Sequence, residues 1–294
     1  MFSRVDQPPP ATLAQALALA RRRIDALDAQ MLLLRALGRP VHERAWLLAH
    51  DRDALEPAAA ARYAALVERR TAGEPLAYLV GEREFFGLRL QVDERVLDPR
   101  PDTETLVHWA LDCLADTAVT TEPLRVLDLG TGSGAIALAL AHAGRDAGGH
   151  TVEVAAVDAS ADALAVAAAN AQHLGLPLRL LHGDWFAPLA PGERFALIVS
   201  NPPYIAESDP HLGALRHEPM MALTSGTDGL DALRHIVRGA SAHLRPGAWL
   251  LLEHGWDQAH AVHELLRAAG FTQVRSRHDL AGHARCSGGC WCGV

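Results

Sequence analysis

The sequence predicts an α/β protein in which a mostly parallel sheet, covered by helices on both faces, follows a small all-helical domain. Two observations support this fold class. Helical periodicity fills residues 1–75, whereas short apolar strand segments alternate with helical segments from residue 124 to residue 276. Such alternation is typical of a doubly wound sheet. We therefore expect a helical N-terminal domain over 1–75, a hairpin linker over 76–104 and a larger α/β domain over 105–294.

Apolar spacing predicts the helices of the N-terminal domain. Apolar residues recur at helical spacing from Leu13 to Leu27, and a second apolar group ends just before Gly38 and Pro40, which together are a stop signal. Two further helical stretches cover residues 43–50 and 58–70. The composition changes after this point, so we expect the helical domain to end there.

Strand-like and helical segments then follow one another along the chain. A hairpin is expected over residues 85–96, and the apolar runs that follow it predict the strands of the sheet. These strands are expected at residues 124–129, 151–157, 178–181, 195–200, 249–253 and 271–276. Helices are expected to begin at Ala135 and to cover residues 162–174, 230–244 and 258–269.

Composition and charge limit the classes of partner. The chain has 294 residues and a formal net charge of −8, whereas tight binding to nucleic acid normally needs a basic surface. The longest apolar run, residues 135–141, is too short to cross a bilayer, and residues 1–10 lack the apolar segment of a signal peptide. The four cysteines do not form a disulfide framework. We expect a cytoplasmic monomer that does not contact a membrane and does not bind nucleic acid tightly.

A glycine-rich loop joins the first strand of the sheet to the helix that follows it. Glycines permit positive φ angles and let a ligand approach the bare backbone, and the helix N-terminus offers free N–H groups. Asp158 ends the next strand, where it is placed to accept hydrogen bonds from ribose hydroxyls. The loop residues are Gly130, Thr131, Gly132, Ser133 and Gly134.

This loop alone is compatible with a nicotinamide dinucleotide, with a methyl donor and with a purely structural turn. Asp128, two residues before the first glycine, favours the methyl donor, because its carboxylate is placed to orient the glycine turn or the donor's amino group. It equally fits a local turn cap. Trp185, just beyond another strand end, is expected to form a wall against an adenine ring, with a place in the core as the alternative.

The segment Asn201-Pro202-Pro203-Tyr204 decides the chemistry. It follows the strand at 195–200, and if that strand lies beside the first one, Asn201 faces the glycine loop. Two prolines remove two N–H donors, so the side-chain oxygen of Asn201 and the carbonyl of Pro202 remain as fixed acceptors. Two acceptors suit the coplanar hydrogens of a substrate –NH2 group, and Tyr204 can stack on its flat face. The alternative is a rigid proline turn with a buried tyrosine.

The glycine loop and the Asn-Pro-Pro-Tyr segment together resemble methyltransferases that act on exocyclic or amide nitrogens. Further segments resemble the HemK/PrmC family of protein-(glutamine-N5) methyltransferases, and the similarity extends over nearly the whole chain. These segments are PLAYLVG at 75–81, EFFGL at 84–88, DPRPDTE at 98–104, GDWF at 183–186, GTDGLD at 226–231 and DLAG at 279–282.

The resemblance implies a class I S-adenosylmethionine methyltransferase fold, a Rossmann-like sheet behind a helical domain. It implies that residues 130–134, Asp158, Trp185 and Asn201 bind S-adenosyl-L-methionine and that residues 201–204 bind the substrate glutamine. The substrate it implies is the glutamine of the Gly-Gly-Gln loop in class I peptide-chain release factors. Asp98 departs from the family pattern, which has an aliphatic residue there, and the cysteine-bearing segment at 286–292 is also unusual.

Three other functions remain open from the sequence. A glutamine of a ribosomal protein needs the same amide grip as a release factor. Adenine-N6 methylation of nucleic acid also uses a planar –NH2 group, but the acidic net charge of −8 disfavours it. A nicotinamide-dependent oxidoreductase leaves the Asn-Pro-Pro-Tyr segment without a purpose. The sequence therefore favours an enzyme that transfers a methyl group to glutamine, without a metal.

Overall fold

A computed structural model describes residues 10–117, 122–144 and 151–293 of the chain. The chain divides into two compact units, of which the first ends at Glu82 and the second begins at Arg83. This division lies seven residues beyond the boundary expected at residue 75, because a further short helix belongs to the first unit. Within the described ranges, no helix is long and apolar enough to cross a bilayer.

From residue 10 onward, where the structure describes it, the first unit consists of five helices around one apolar core. The helix expected to run as far as Leu27 ends at Ala20 instead, because Asp25 starts a new helix by accepting the Leu27 N–H at 2.7 Å. Leu76–Val80 is a short helix that the sequence did not predict. The helices are α1 (Leu13–Ala20), α2 (Ala26–Ala36), α3 (Arg44–Ala49), α4 (Pro57–Thr71) and α5 (Leu76–Val80).

The second unit is an α/β domain that opens with a two-stranded hairpin, β1 (Glu82–Phe85) and β2 (Leu88–Gln91). Its helices are α6 (Glu104–Ala115), α7 (Ala135–Ala143), α8 (Ala161–Leu174), α9 (Asp231–Ala240) and α10 (Ala259–Ala268). The strands of its main sheet are β3 (Leu124–Leu129), β4 (Val152–Asp158), β5 (Arg179–His182), β6 (Phe195–Ser200), β7 (Leu244–Glu253), β8 (Thr272–His278) and β9 (Ala284–Trp291).

The seven strands of the main sheet have the order β5-β4-β3-β6-β7-β9-β8. All neighbours pair in parallel except β9, which is antiparallel to both β7 and β8. β3 lies between β4 and β6, so the strand order reverses at this point and a crevice opens at the carboxyl ends of β3 and β6. The expected neighbour relation between the strand at 195–200 and the first strand is confirmed, with Leu129 level with Ser200.

Two elements of the second unit were missed in the sequence, α6 and β9. The residues of β9 include two adjacent glycines and no run of β-branched residues, so the strand carries no alternating pattern. It is nevertheless almost wholly buried, and Cys286 and Cys290 lie on it with both side chains in the core. Cys292 lies beyond the strand and is exposed.

One buried polar side chain, Asn170 of α8, ties the hairpin to the glycine loop. Its Oδ1 accepts the N–H of Gln91 at 2.7 Å, and its Nδ2 donates to the carbonyl of Gln91 at 3.0 Å and to that of Ser133 at 2.9 Å. Asn170 is fully buried, so no bulk water can take over its hydrogen bonds to these backbone groups. The loop between β3 and α7 is therefore held from outside as well as by its own turn.

Replacing Asn170 by alanine is expected to lower the free energy of unfolding by ~2–4 kcal/mol. The substitution leaves buried backbone groups of Gln91 and Ser133 without their hydrogen-bond partner and creates a cavity. Urea unfolding of the intact chain measures this. Gln172→Ala, two residues along the same helix at an exposed position, is the control and is expected to stay within about 0.5 kcal/mol of the wild type. An Asn170→Ala variant as stable as the control would contradict the role of Asn170 as a brace.

Candidate active site

The glycine loop runs between the end of β3 and the start of α7. Its three glycines all have positive φ angles, +72° at Gly130, +55° at Gly132 and +83° at Gly134. At Gly134, a Cβ atom would also lie 3.1 Å from Leu138 Cδ1 and 3.3 Å from Ala167 Cβ. A larger residue there would be strained in its backbone and crowded by α7 and α8. The loop thus needs glycine for its shape and brings bare backbone to the carboxyl edge of the sheet.

Asp158, the last residue of β4, closes this loop from the side. Its Oδ2 accepts the N–H of Gly132 at 2.8 Å, and its Oδ1 accepts the N–H of Ser160 at 2.8 Å. An ionised carboxylate has about four lone-pair directions, so two remain for a ligand. The carboxylate therefore holds the loop in shape and is still able to accept further hydrogen bonds.

Asp128 lies beneath the loop rather than in the crevice. It is fully buried, and its Oδ2 accepts the hydroxyl proton of Thr131 at 2.7 Å, while its Oδ1 has no hydrogen-bond partner. Burial raises the pKa of the Asp128 carboxyl to about 7, against the hydrogen bond from Thr131 and together with repulsion from Asp158. The bond to Thr131 fits orientation of the glycine turn as well as a local turn cap, and Asp128 does not line the cavity described next.

A cavity of about 230 Å³ lies in the crevice over the carboxyl ends of β3, β4 and β6. Six of the sequence-predicted residues line it, namely Gly130, Gly132, Asp158, Trp185, Asn201 and Pro203. The sequence did not assign the rest of the wall to the site, although Gly183 and Asp184 belong to the GDWF segment that supported the family resemblance. The other lining residues are Arg95, Val96, Leu97, Val157, Ala159, Ser160, Ala163, Gly183, Asp184, Pro219, Met221 and Ala222.

Trp185 is both a cavity residue and a core residue. It lines the cavity and also packs against the core of the second unit. Its φ angle is +46°, an unusual value for a bulky residue, and its ring lies 3.7 Å from where a Cβ on Gly130 would be. The indole therefore packs directly beside the glycine loop at the cavity wall.

The other predicted loop residues, Thr131, Ser133 and Gly134, do not line the cavity. Thr131 is bonded to Asp128, and Ser133 is buried with its carbonyl bonded to Asn170. Their observed contacts shape the loop. Two members of the Asn-Pro-Pro-Tyr segment, Pro202 and Tyr204, also lie outside the cavity wall.

The Asn-Pro-Pro-Tyr segment is fixed at both ends. Before it, the Ser200 hydroxyl donates to the carbonyl of Leu129 at 2.6 Å, which ties the end of β6 to the end of β3. After it, the Tyr204 carbonyl accepts from Gln258 Nε2 at 3.0 Å. Within it, Asn201 Nδ2 donates to Thr103 Oγ1 at 3.3 Å. The segment is therefore held rigidly beside the cavity, with Asn201 and Pro203 in its wall.

A buried carboxyl group, Glu253, lies behind this segment and was not singled out in the sequence. It ends β7 and is 1% exposed, and burial raises its pKa to about 7 although hydrogen bonds from Thr103 and Asn201 act in the opposite direction. Burial, followed by repulsion from Glu253, raises the pKa of the Tyr204 phenol, which therefore stays protonated. The sequence signal that could have identified Glu253 is its place as a single acidic residue at the end of an apolar strand.

Asp98, the departure from the family pattern, lies in a cluster of charges next to the cavity. Its carboxylate is 3.4 Å from Arg83 and 3.6 Å from Arg100, and Arg100 also binds Glu218 at 2.5 Å. Burial raises the pKa of Asp98, and the two arginines oppose that shift. The cluster offsets the cost of burying the Asp98 carboxylate, and its member Glu218 directly precedes the cavity residue Pro219.

Comparison with known proteins adds the family. The family described as the PrmC N-terminal domain matches residues 11–81, and the one described as the methyltransferase small domain matches residues 109–218. The release factor glutamine methyltransferase of Bordetella pertussis (strain Tohama I) is 53% identical over 273 residues, which cover 92% of this chain and 97% of that protein. This chain belongs to the release factor glutamine methyltransferase family.

Another member of the family, from Escherichia coli (strain K12), is 44% identical over 261 residues, covering 88% of this chain and 89% of that protein. Among solved structures, a methyltransferase from Pyrococcus furiosus superposes with a TM-score of 0.52 at 19% identity, covering 71% of this chain and 91% of that one. This likeness concerns the fold alone. The predicted class I methyltransferase fold behind a helical N-terminal domain is confirmed, as is the resemblance to the HemK/PrmC family.

Proposed function

We propose that this enzyme transfers a methyl group from S-adenosyl-L-methionine to the side-chain amide nitrogen of the glutamine in the Gly-Gly-Gln loop of class I peptide-chain release factors. The observation that carries the proposal is the position of the Asn-Pro-Pro-Tyr segment, which contributes Asn201 and Pro203 to the wall of the cavity above the glycine loop. Family members at 53% and 44% identity are named for this activity.

The cavity suits an adenosine-containing donor. Asp158 is proposed to accept from the ribose hydroxyls with its remaining lone pairs, Trp185 to lie against the adenine, and the backbone at Gly130 and Gly132 to let the donor come close. Thr131, Ser133 and Gly134 support this site by shaping the loop. When bound, S-adenosylmethionine supplies a methyl group on a positively charged sulfonium.

The substrate amide is proposed to bind at Asn201 and Pro202. The amide nitrogen is a weak nucleophile because its lone pair is delocalised into the carbonyl. Acceptance of its two N–H bonds by Asn201 Oδ1 and the Pro202 carbonyl orients the nitrogen and stabilises the positive charge that develops on it. Tyr204 is proposed to stack on the amide plane, and Pro203 keeps the backbone extended.

Transfer of labelled methyl to purified release factor, ribosomal protein and DNA, assayed in parallel, tests this proposal. Label on the release-factor glutamine alone is expected. Label on the ribosomal protein alone would identify the alternative protein substrate, and label on DNA would identify adenine methylation. Titration with S-adenosylhomocysteine and with NAD distinguishes a methyl donor from a dinucleotide, since only the former is expected to bind.

The first unit, expected at 1–75 and ending at Glu82 in the structure, is proposed to recognise the release factor. Because the amide grip recognises only a glutamine side chain, selection of one glutamine needs contacts elsewhere. A chain beginning at Arg83 is therefore expected to bind S-adenosylhomocysteine normally but to methylate intact release factor at least ~10-fold more slowly.

A short Gly-Gly-Gln peptide is the control substrate for this truncation, and its turnover is expected to be unchanged. A soluble truncated enzyme with full activity on intact release factor would rule out the recognition role. Insolubility of the truncated chain would indicate that the first unit only covers apolar surface.

We also propose a cytoplasmic monomer without tight nucleic-acid binding. The four cysteines are all free, which suits a reducing compartment, and the net charge of −8 disfavours phosphate backbones. Light scattering of the purified chain and a filter-binding assay with RNA test the last two points.

A further inference from the structure

We propose that Glu253 is a positioning residue for methyl transfer, which fixes the carboxamide of Asn201 so that its Oδ1, and not its Nδ2, faces the substrate amide. The inference rests on the proposed function, because it concerns the same grip on a substrate –NH2 group. It adds a residue from a different strand, β7, and a condition on the charge of that residue.

The sheet brings the two residues together. β7 runs parallel to β6 with Leu252 level with Ser200, so Glu253, the last residue of β7, and Asn201, the first residue after β6, lie side by side. Thr103, just before α6, lies between them and accepts from Asn201 Nδ2 at 3.3 Å. Thr103 and Asn201 both lie close enough to the Glu253 carboxylate to lower its pKa through hydrogen bonding, while Oε2 of this carboxylate has no partner.

These contacts determine which way the carboxamide points. An ionised carboxylate only accepts hydrogen bonds, so it requires the N–H side of Asn201 and the hydroxyl proton of Thr103 to point toward it. The Oδ1 of Asn201 then lies on the opposite side, where a substrate –NH2 group needs an acceptor. If the Asn201 carboxamide were rotated by 180°, its Nδ2 group would face the substrate –NH2 group. Both groups are hydrogen-bond donors, so the substrate amide could not bind there.

Protonation of Glu253 removes this constraint. A carboxylic acid has an O–H donor, which can bond to Oδ1 of Asn201 and so accommodates the turned carboxamide. The Oε2 of Glu253 is buried without a hydrogen-bond partner, so the group carries an acceptor that the fold itself does not use. An isolated buried carboxylate is costly, and a purely structural role would be served as well by glutamine.

The surroundings of Glu253 place its ionisation in the neutral range. Burial raises its pKa to about 7, and the charge of Arg285 on β9 lowers it while that of Asp102 raises it. The other titratable groups that face it are the Tyr204 phenol and the Cys286 thiol, both of which burial keeps neutral. Arg285 is itself shared with Asp279 at 3.1 Å and with Asp102 at 3.4 Å, so Glu253 is not fully compensated.

The sign of the pH dependence follows directly. Ionised Glu253 is the active form, so activity is expected to rise as the pH increases through the pKa of this group and to fall on the acid side. Substitution by glutamine keeps the shape but removes both the charge and the titration. The Glu253→Gln enzyme is therefore expected to be slow at all pH values rather than slow only in acid.

The test compares full-length wild type, Glu253→Gln and Glu253→Asp in methyl transfer to release factor from about pH 5.5 to about pH 9. For Glu253→Gln we expect kcat to fall roughly 10-fold or more, KM for S-adenosylmethionine to change less than about two-fold, and the acid limb to disappear. Glu253→Asp is expected to keep the acid limb and to recover part of kcat.

Glu193→Gln is the matched control. Glu193 lies just before β6, at the amino ends of the strands, whereas Glu253 lies at the carboxyl ends. Its side chain is 6% exposed and forms ion pairs with Arg125 and Arg179. It is also a buried carboxylate, so its loss tests what removal of such a group does to the fold alone. The pH profile of this variant is expected to match that of the wild type.

Each outcome bears on a separate statement. Wild-type enzyme that transfers no methyl to release factor contradicts the proposed function and, with it, this inference. Active wild type together with a Glu253→Gln enzyme of unchanged kcat and unchanged acid limb overturns the inference alone. Loss of kcat with an intact acid limb also overturns it, since the titrating group would then be another residue. Binding of S-adenosylhomocysteine by each variant verifies the fold.

Discussion

Replacing Asn201 by alanine is expected to lower the rate of methyl transfer on the order of 100-fold or more, while the protein stays folded. The side chain lies in the cavity wall beside Pro203 and is anchored through Thr103, so its oxygen is a fixed acceptor rather than a mobile one. Alanine removes one of two proposed acceptors on the substrate amide, and the nitrogen lone pair then loses its orientation. Single-turnover kinetics with saturating release factor measures the loss.

The same variant supplies its own controls. Its urea unfolding midpoint is expected to stay near that of the wild type, because the fold loses only the 3.3 Å hydrogen bond to Thr103 and the contact with Glu253. Binding of S-adenosylhomocysteine is expected to weaken only a few-fold, since Asn201 is one of many residues around the cavity. Near-normal turnover would end the proposed role of Asn201.

Replacing Asp158 by alanine is expected to weaken binding of S-adenosylhomocysteine by about 10- to 100-fold, equivalent to roughly 1.5–3 kcal/mol. Two losses contribute. The ribose loses a charged acceptor, and the N–H of Gly132 loses the carboxylate that holds the loop at 2.8 Å. Isothermal titration measures the change.

Asp162→Ala is the control for this experiment. Asp162 is an exposed acidic residue in the first turn of α8, so it carries the same charge close to the cavity without lining it. The affinity of the Asp162→Ala variant for S-adenosylhomocysteine is expected to equal that of the wild type. Unchanged affinity in Asp158→Ala would show that β4 does not end at the ribose.

Much of this site could be predicted because it is local in sequence. Gly130 and Gly132 indicate a loop after an apolar strand. Asp158 ends such a strand, and Asn201 directly follows another. The parallel sheet gathers strand ends at one edge, so these separate signals had to converge once the order of strands was known. The apolar runs also predicted the strands β3 to β8.

The parts that could not be predicted depend on contacts between distant segments. Thr103 and Glu253 are 150 residues apart, and nothing in either segment indicates that both lie next to Asn201. Asn170 looks like an ordinary polar residue of an amphipathic helix until Gln91 is seen beside it. The strand β9 has no alternating pattern, because the space around it, rather than exposure to water, selects its residues.

That strand has a consequence for the order in which the domain folds. β9 follows β7 and β8 in sequence but lies between them, so among the described strands β8 has β9 as its sole neighbour. A Cβ at Gly288 would lie 2.6 Å from Leu251 Cδ2, so this strand keeps glycine at the cost of intrinsic strand preference. It is therefore poorly suited to form early, and the ten-residue edge of β7 stays open to pairing with other molecules until β9 arrives. Refolding yield is expected to fall as protein concentration rises, with self-association competing against insertion of this one strand.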